Sequence, residues 1–305
     1  MKNKKKLLQL LISIIILLVL ILSIDFDGLS QISFQGSPAI VLGIFGLLIL
    51  SLGSRALRWQ IIFNSKKESP RFSFLFSFRY LLIGSALNLI APASSGDVFK
   101  SYYIFKDTGV KEHAVAVSIY DKLIAIASIG FLGVYAFVQS SSILYLIAAI
   151  ASLMPLAIIE GFVFFRDSEY ATRILSFVDL KLKKIDLYKI LGYMSYPLEI
   201  KTISLIISLF GWICTYILLF LCFRTVGIDT LNVETFLMEG SILTVGRLFP
   251  FTLNGIGSDE ALMVFLFLKY DILSGLILSG AIIYRLIVIF VPALFGIFLI
   301  QKTKQ

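Results

Sequence analysis

The sequence has little of what metal sites, disulfides and soluble surfaces are made from. Its 305 residues include two cysteines, one histidine and only 15% charged side chains. Cys214 and Cys222 share one apolar segment, so we expect them to be packing residues rather than a disulfide or a metal pair. His113 stands alone at the edge of another apolar segment, and we expect it to be solvated. This composition argues against a transition-metal site, and we expect no cofactor.

Apolar residues, by contrast, are abundant. They make up 58% of the chain, and the mean hydropathy is +0.95, which a soluble domain could not cover with polar surface. The N-terminal run is longer than a signal-peptide core and is followed by no small-residue cleavage site, so we expect it to be retained. Segments long enough to cross a bilayer are 7–24, 38–63, 114–137, 143–165, 202–223 and 272–300. The sequence therefore predicts an all-α polytopic membrane protein with about six full spans.

Charge in the connections predicts the orientation. Segments 25–37 and 139–142 contain no Lys or Arg, whereas the loop at 64–71, the segment 166–201 and the last five residues are basic. We therefore predict a protein of the cell (plasma) membrane, and the positive-inside rule predicts that both of its termini are cytoplasmic. The net charge of +8 indicates contact with anionic lipid rather than with nucleic acid. We interpret 166–201 as a basic amphipathic connector on the inner leaflet, with a plain cytoplasmic linker as the alternative.

Two segments do not fit full spans under this orientation. The chain between 72 and 111 must enter and leave on the cytoplasmic side, and only about ten residues, roughly 15 Å of helix, follow its break. The chain between 224 and 271 must enter and leave on the outer side. The breaks contain Pro92, Gly96, Pro250, Gly255 and Gly257, which interrupt a helix or allow unusual backbone conformations. We therefore predict two oppositely oriented re-entrant helical hairpins.

The two hairpins resemble each other. Gly84-Ser85-x-Leu87 and Gly240-Ser241-x-Leu243 are each followed by a proline, a glycine and an acidic residue. Each hairpin also has a full span on either side. Residues 1–305 are thus predicted to form one membrane domain with an inverted-topology repeat, whose halves cover about 38–138 and 202–300. Interrupted helices at matching positions of inverted halves indicate a transport site.

Charged residues at membrane depth are costly and are therefore candidates for function. Arginine binds phosphate through a planar fork, and a carboxylate can neutralise an amine or carry a proton. The same charges could instead be structural ion pairs that hold the hairpins. We expect Arg55 and Arg58 to reach lipid phosphates, and Asp121 and Lys122 to form a local pair near the inner surface. The candidates in the hairpins and the last span are Arg79, Asp97, Lys100, Arg247, Glu260 and Arg285.

These stretches resemble the hallmark motifs of a known family. They read Asn88-x-x-x-Pro92-x-x-x-Gly96-Asp97-x-x-Lys100, Tyr120-Asp121-Lys122, Pro250-x-Thr252-x-x-Gly255-Ile256-Gly257-x-x-Glu260 and then Arg285. On these residues the whole chain resembles the membrane region of bacterial lysylphosphatidylglycerol synthases, the flippase-like domain. The resemblance implies re-entrant hairpins, lipid translocation and a place for Asn88 in the site. No soluble synthase domain follows Gln305, so we expect a standalone member that does not itself make an aminoacyl lipid.

The first functional hypothesis is a flippase or exporter for a phosphate-bearing, possibly aminoacylated, lipid. Arg79, Arg247 and Arg285 would engage the phosphate, and Asp97 and Glu260 would sense the headgroup or couple protons. Transport would be passive or driven by a gradient, since the sequence has no nucleotide-binding motif.

The second hypothesis is a membrane-embedded glycosyl or phosphoryl transferase acting on a polyprenyl-phosphate lipid. It ranks second because its candidate carboxylates, Asp97 and Asp259-Glu260, lie on opposite-facing hairpins. A regulatory subunit is a third reading. The expected ligand is a membrane phospholipid or a polyprenyl-phosphate lipid. A lipid synthase or glycosyltransferase is a possible protein partner, and a homodimer is also possible.

Overall fold

The computed structural model describes residues 36–66, 70–89, 96–168, 186–248, 252 and 255–302, and all of its regular elements are helices. The predicted span 7–24, Pro92, Pro250 and residues 169–185 of the connector 166–201 lie outside these residues. The helices are α1 (Pro38–Asn64), α2 (Phe74–Asn88), α3 (Gly96–Thr108), α4 (Lys111–Ser140), α5 (Ile143–Phe164), α6 (Leu187–Tyr193), α7 (Leu198–Arg224), α8 (Val233–Gly246), α9 (Ser258–Phe267), α10 (Ser274–Arg285) and α11 (Val291–Lys302).

Five described segments are long and apolar enough to cross a membrane, and they confirm the prediction of an all-α polytopic membrane protein. Four of them are α1, α4, α5 and α7, and the fifth is the continuous segment Ser274–Gln301. Local signals explain where they begin: the Ser37 hydroxyl caps α1 ahead of Pro38, and Pro197 precedes α7. The fifth span is not uniform, because a π-helical segment, Leu286–Phe290, separates α10 from α11.

Helices α2 and α3, which we call the first pair, lie antiparallel. At the break, a β-carbon on Gly96 would lie 2.6 Å from the carbonyl carbon of Leu87. At the other end, the Tyr80 hydroxyl of α2 donates to the Asp107 carboxylate of α3. The 15 residues of α2 give about 22 Å of helix, which is shorter than a hydrocarbon core of about 30 Å.

Helices α8 and α9, the second pair, have the same arrangement. Arg247 and Asp259 meet at the break, with 2.8 Å between the guanidinium Nε and the carboxylate oxygen. At the other end, the Tyr270 hydroxyl, just beyond α9, donates to Glu239 of α8 at 2.6 Å. The two helices contain 14 and ten residues, so neither alone reaches the length of a membrane span.

The two pairs face opposite ends of α4, which is 30 residues long. The end of the first pair that is remote from its break lies beside the start of α4, because α3 ends at Thr108 and α4 begins at Lys111. The second pair opens beside its end, where the Tyr135 hydroxyl donates to Glu234 at 2.9 Å. Each pair also packs on a long helix from a distant part of the chain, since α2 contacts α11 and α8 contacts α4. His113 is 2% exposed, so the expectation of a solvated histidine is wrong.

Small residues and hydroxyl groups hold α1 and α7 together at the centre. Gly211 of α7 faces Ser54 of α1 so closely that a β-carbon there would lie 2.3 Å from the serine oxygen, and the Ser51 and Thr215 hydroxyls are 2.7 Å apart. Such contacts are typical of helix packing in lipid, where apolar side chains gain little by meeting each other. One apolar cluster surrounds the start of α1 with the second pair, and another surrounds its end with the first pair.

Candidate functional site

A cavity of about 230 Å³ lies between the two helix pairs and the central helices. A single buried water needs only about 10–15 Å³ by a comparable measure, so this space can hold a much larger polar group. Both pairs contribute to its wall, as do α1, α4, α7 and the fifth span. The charged residues that line it are Arg55, Arg58, Asp97, Asp121, Lys122, Arg247 and Asp259.

The wall on the side of the second pair is a closed network of charges. Arg247 binds Asp259 at 2.8 Å, and Arg285 reaches the same carboxylate at 3.2 Å. Arg285 also donates from Nε and Nη2 to the two oxygens of Glu260, and from Nη2 to the carbonyl oxygen of Gly255 at 2.7 Å. Glu260 in turn accepts a hydrogen bond from the backbone nitrogen of Gly257 at 2.8 Å. Each charge of this wall therefore meets an opposite charge.

Glycine makes this network possible at the start of α9. Gly255 and Gly257 have φ angles of 73° and 84°, in the left-handed region that other residues rarely adopt. A β-carbon on Gly255 would lie 2.5 Å from the Asp259 carboxylate, so a larger residue would displace the acid that Arg247 and Arg285 share. The sequence motif around these glycines thus has a direct geometric basis.

The wall on the side of the first pair is less tightly paired. Arg58 is 3% exposed, and it donates to Asp121 and to the Ser208 hydroxyl, each at 2.7 Å. Arg55 comes no closer than 3.9 Å to Asp97, which is an ion contact without a hydrogen bond. Lys100 is 2% exposed behind Asp97, and Lys122 lines the cavity within electrostatic range of the same acid.

The structure brings together part of the predicted site. Asn88, Asp97 and Arg247 line the cavity, whereas Glu260 and Arg285 lie directly behind Asp259. Lys100 also lies in a second layer, with its nitrogen 5.7 Å from the centre of the Trp59 ring. Arg79 does not line the cavity, and its guanidinium carbon lies 5.8 Å from the centre of the Tyr80 ring. Among the predicted break residues, Gly96, Gly255 and Gly257 lie at the ends of the short helices.

Four charged residues that line the cavity were not predicted to belong to the site: Arg55, Arg58, Asp121 and Lys122. The expectation that Arg58 reaches lipid phosphates is wrong, because its guanidinium is buried against Asp121. A signal for Arg55 and Arg58 was present in α1, where these arginines and Ser51 recur at helical spacing and all three line the cavity. A polar stripe within an apolar span indicates a face turned towards a cavity.

The geometry suits recognition of a charged group at membrane depth. Arginine and lysine donors meet carboxylates, amides and hydroxyls around one space, and α3 and α9 both begin beside it. Helix starts carry partial positive charge and bind anionic groups. Within the described part of the chain, no cluster of three or more His, Cys, Asp or Glu residues could hold a metal ion.

The fold and the cavity define a polytopic membrane protein with a charged site buried among its helices. Residues 6–296 match the family model for the lysylphosphatidylglycerol synthase transmembrane region, so the chain belongs to this family. The resemblance noted from the two break motifs is thereby confirmed. A comparison with curated proteins finds no significant match.

Proposed function

We propose that this protein translocates a phosphate-bearing lipid across the cell membrane. The observation that carries the proposal is a charged cavity to which both short helix pairs contribute. Membership of the lysylphosphatidylglycerol synthase transmembrane family supports a role in membrane lipid biology. Charged groups buried at this depth are expensive, and transport sites are a main reason for keeping them.

In this proposal the two pairs are re-entrant hairpins that open to opposite faces of the membrane. Their short helices, their antiparallel packing and their positions at opposite ends of α4 support it. The charge distribution of the loops favours cytoplasmic termini, and with that orientation the first pair would open inwards and the second outwards. Rocking of the two halves would then expose the cavity to each face in turn.

The headgroup would enter the cavity while the lipid tails remain in the bilayer. Arg247 is the arginine of the second pair that lines the cavity, and it can offer further donors to a phosphate oxygen. Arg285 donates hydrogen bonds to Asp259, Glu260 and Gly255, so we assign it the role of positioning those groups.

The test is lipid movement in proteoliposomes that contain fluorescent phosphatidic acid, phosphatidylglycerol or an aminoacylated analogue. We expect Arg247→Gln to slow translocation about tenfold or more, as the loss of a hydrogen bond to a charged group should. Arg224→Gln is the matched control, because Arg224 forms a half-exposed pair with Asp229 away from the cavity. Chromatography and thermal unfolding would confirm that each variant is folded.

Two results would contradict the proposal. One is no movement of any tested lipid by folded wild-type protein, and the other is equal rates for wild type and Arg247→Gln. Mass spectrometry of the lipids would separate the transferase alternative, since a transferase changes the headgroup whereas a translocator leaves it intact.

A further inference from the structure

The two walls of the cavity differ in their balance of charge. On the second-pair side, the two cations Arg247 and Arg285 face the two carboxylates of Asp259 and Glu260, so the charges cancel. On the first-pair side, four cations face two carboxylates, which leaves an excess of two positive charges. Those six residues are Arg55, Arg58, Lys100, Lys122, Asp97 and Asp121.

Among the described residues, no acidic side chain other than Asp97, Asp121 and Asp259 lines the cavity. Segments 90–95 and 249–254, which include the undescribed residues of the two breaks, contain no Asp or Glu in the sequence. Asp107, at the far end of the first pair, accepts from Tyr80. Glu160 is bound to Lys201 and Tyr120. The first wall is therefore a buried positive site.

Arg55 is the cation of this wall best placed to bind a ligand. It lines the cavity, and its side chain is 34% exposed. Its one ion contact is the 3.9 Å approach to Asp97, and it makes no side-chain hydrogen bond to any other described residue. A guanidinium has five N–H donors in a fork that matches the oxygens of a phosphate.

We propose that the first wall binds a phosphate monoester carried by a lipid, with Arg55 as its principal ligand. This inference rests on the proposed function for the lipid nature of the ligand. A phosphate monoester carries about −1.5 to −2 charges at neutral pH, which matches the excess of two. A phosphodiester headgroup carries only one negative charge, and an aminoacyl group on it adds positive charge, so both match less well.

Equilibrium binding to purified protein in phosphatidylcholine nanodiscs tests this assignment. The probes are short-chain phosphatidic acid and a polyprenyl phosphate as lipid monoesters, phosphatidylglycerol as a diester, its lysyl ester, and inorganic phosphate. We expect both lipid monoesters to bind at least tenfold more tightly than the diester or the lysyl ester. Inorganic phosphate should compete only weakly, because it lacks the tails that hold the lipid in the bilayer.

Two substitutions distinguish specific binding at the first wall from a general attraction of anionic lipids to a basic protein. Arg55→Gln should weaken monoester binding about tenfold or more, whereas Arg224→Gln should leave it unchanged. Asp97→Asn raises the excess of positive charge, so it should tighten binding roughly tenfold, the effect that a neighbouring charge has on an ionic equilibrium. A site for an ammonium-bearing headgroup would respond to Asp97→Asn in the opposite direction.

The assignment is overturned if the lysyl ester or the diester binds as tightly as the monoesters, or if Asp97→Asn weakens monoester binding. Equal binding of inorganic phosphate and the lipid monoesters would assign the site to free phosphate instead. Monoester binding without translocation would contradict the proposed function alone. Translocation without preference for monoesters would contradict this assignment alone.

Discussion

Arg285 holds the second wall of the cavity together, and its replacement by methionine should destabilise the protein strongly. The guanidinium binds the Glu260 and Asp259 carboxylates and the carbonyl oxygen of Gly255. Arg285 is only 8% exposed, so these contacts are buried. Methionine fills a similar volume but leaves Glu260 without its principal cation. Asp259 would keep only Arg247 as an ion-pair partner among the described residues.

The expected cost follows from the burial of this network. Breaking a buried ion pair by removing one partner costs about 3–5 kcal/mol, because the remaining charge is left in a poorly polar environment. For a chain of this size, that loss corresponds to a decrease in Tm of about 5–8 °C. Replacing both partners should cost much less, since the buried charges leave together. The double variant Glu260→Gln/Arg285→Met should therefore recover most of the loss.

Thermal unfolding in detergent, followed by circular dichroism, measures Arg285→Met, Glu260→Gln and the double variant. Arg224→Gln again serves as the control, because its half-exposed pair with Asp229 should contribute about 0–1 kcal/mol. The reasoning is refuted if Arg285→Met unfolds within about 2 °C of wild type. It is also refuted if the losses of the two single substitutions simply add in the double variant, since the coupling would then be absent.

Two further predictions concern packing and the far end of the second pair. Gly96→Ala should destabilise the protein by about 1–3 kcal/mol, because its β-carbon would meet the backbone of α2, whereas Gly161→Ala should be tolerated since that position has open space around it. Equal Tm values for these two alanine variants would contradict the close approach of α2 and α3. Glu239→Gln should cost about 1.5–3 kcal/mol, because one carboxylate oxygen accepts from the Tyr145 hydroxyl at 2.8 Å and from the Lys269 nitrogen at 2.7 Å. A Tm unchanged by Glu239→Gln would show that this contact does not hold the second pair to α5.

The spans could be predicted because a bilayer imposes a length and an apolar composition on a local stretch of chain. The span predicted at 202–223 is Leu198–Arg224 in the structure, and the extra turn begins directly after Pro197. The interruption at Leu286–Phe290 was not predicted. A π-helical segment depends on how a helix packs against its neighbours, and its five apolar residues look like any other part of a span.

The site was predicted less completely because its pairs join distant parts of the sequence. Arg58 and Asp121 are 63 positions apart, and their 2.7 Å contact depends on the packing of α1 against α4. Glu260 and Arg285 were chosen for their depth in the membrane, yet depth alone does not show whether a charge faces a cavity or another side chain. Arg247 lines the cavity and Arg285 stands behind it, although the same argument selected both.

The π-helical segment separates two parts of the last span that pack on different helices. Before it, α10 packs on α7 and carries Arg285 into the second wall. Beyond it, α11 packs on α2, and Gly296 lies against the Leu82 carbonyl with no space for a side chain. The two ends of one continuous span are thus held by different helices, with the π-helical segment between the two contacts. Because sharp bends in helices concentrate at such segments, we expect any movement of α2 relative to α7 to bend the span at Leu286–Phe290.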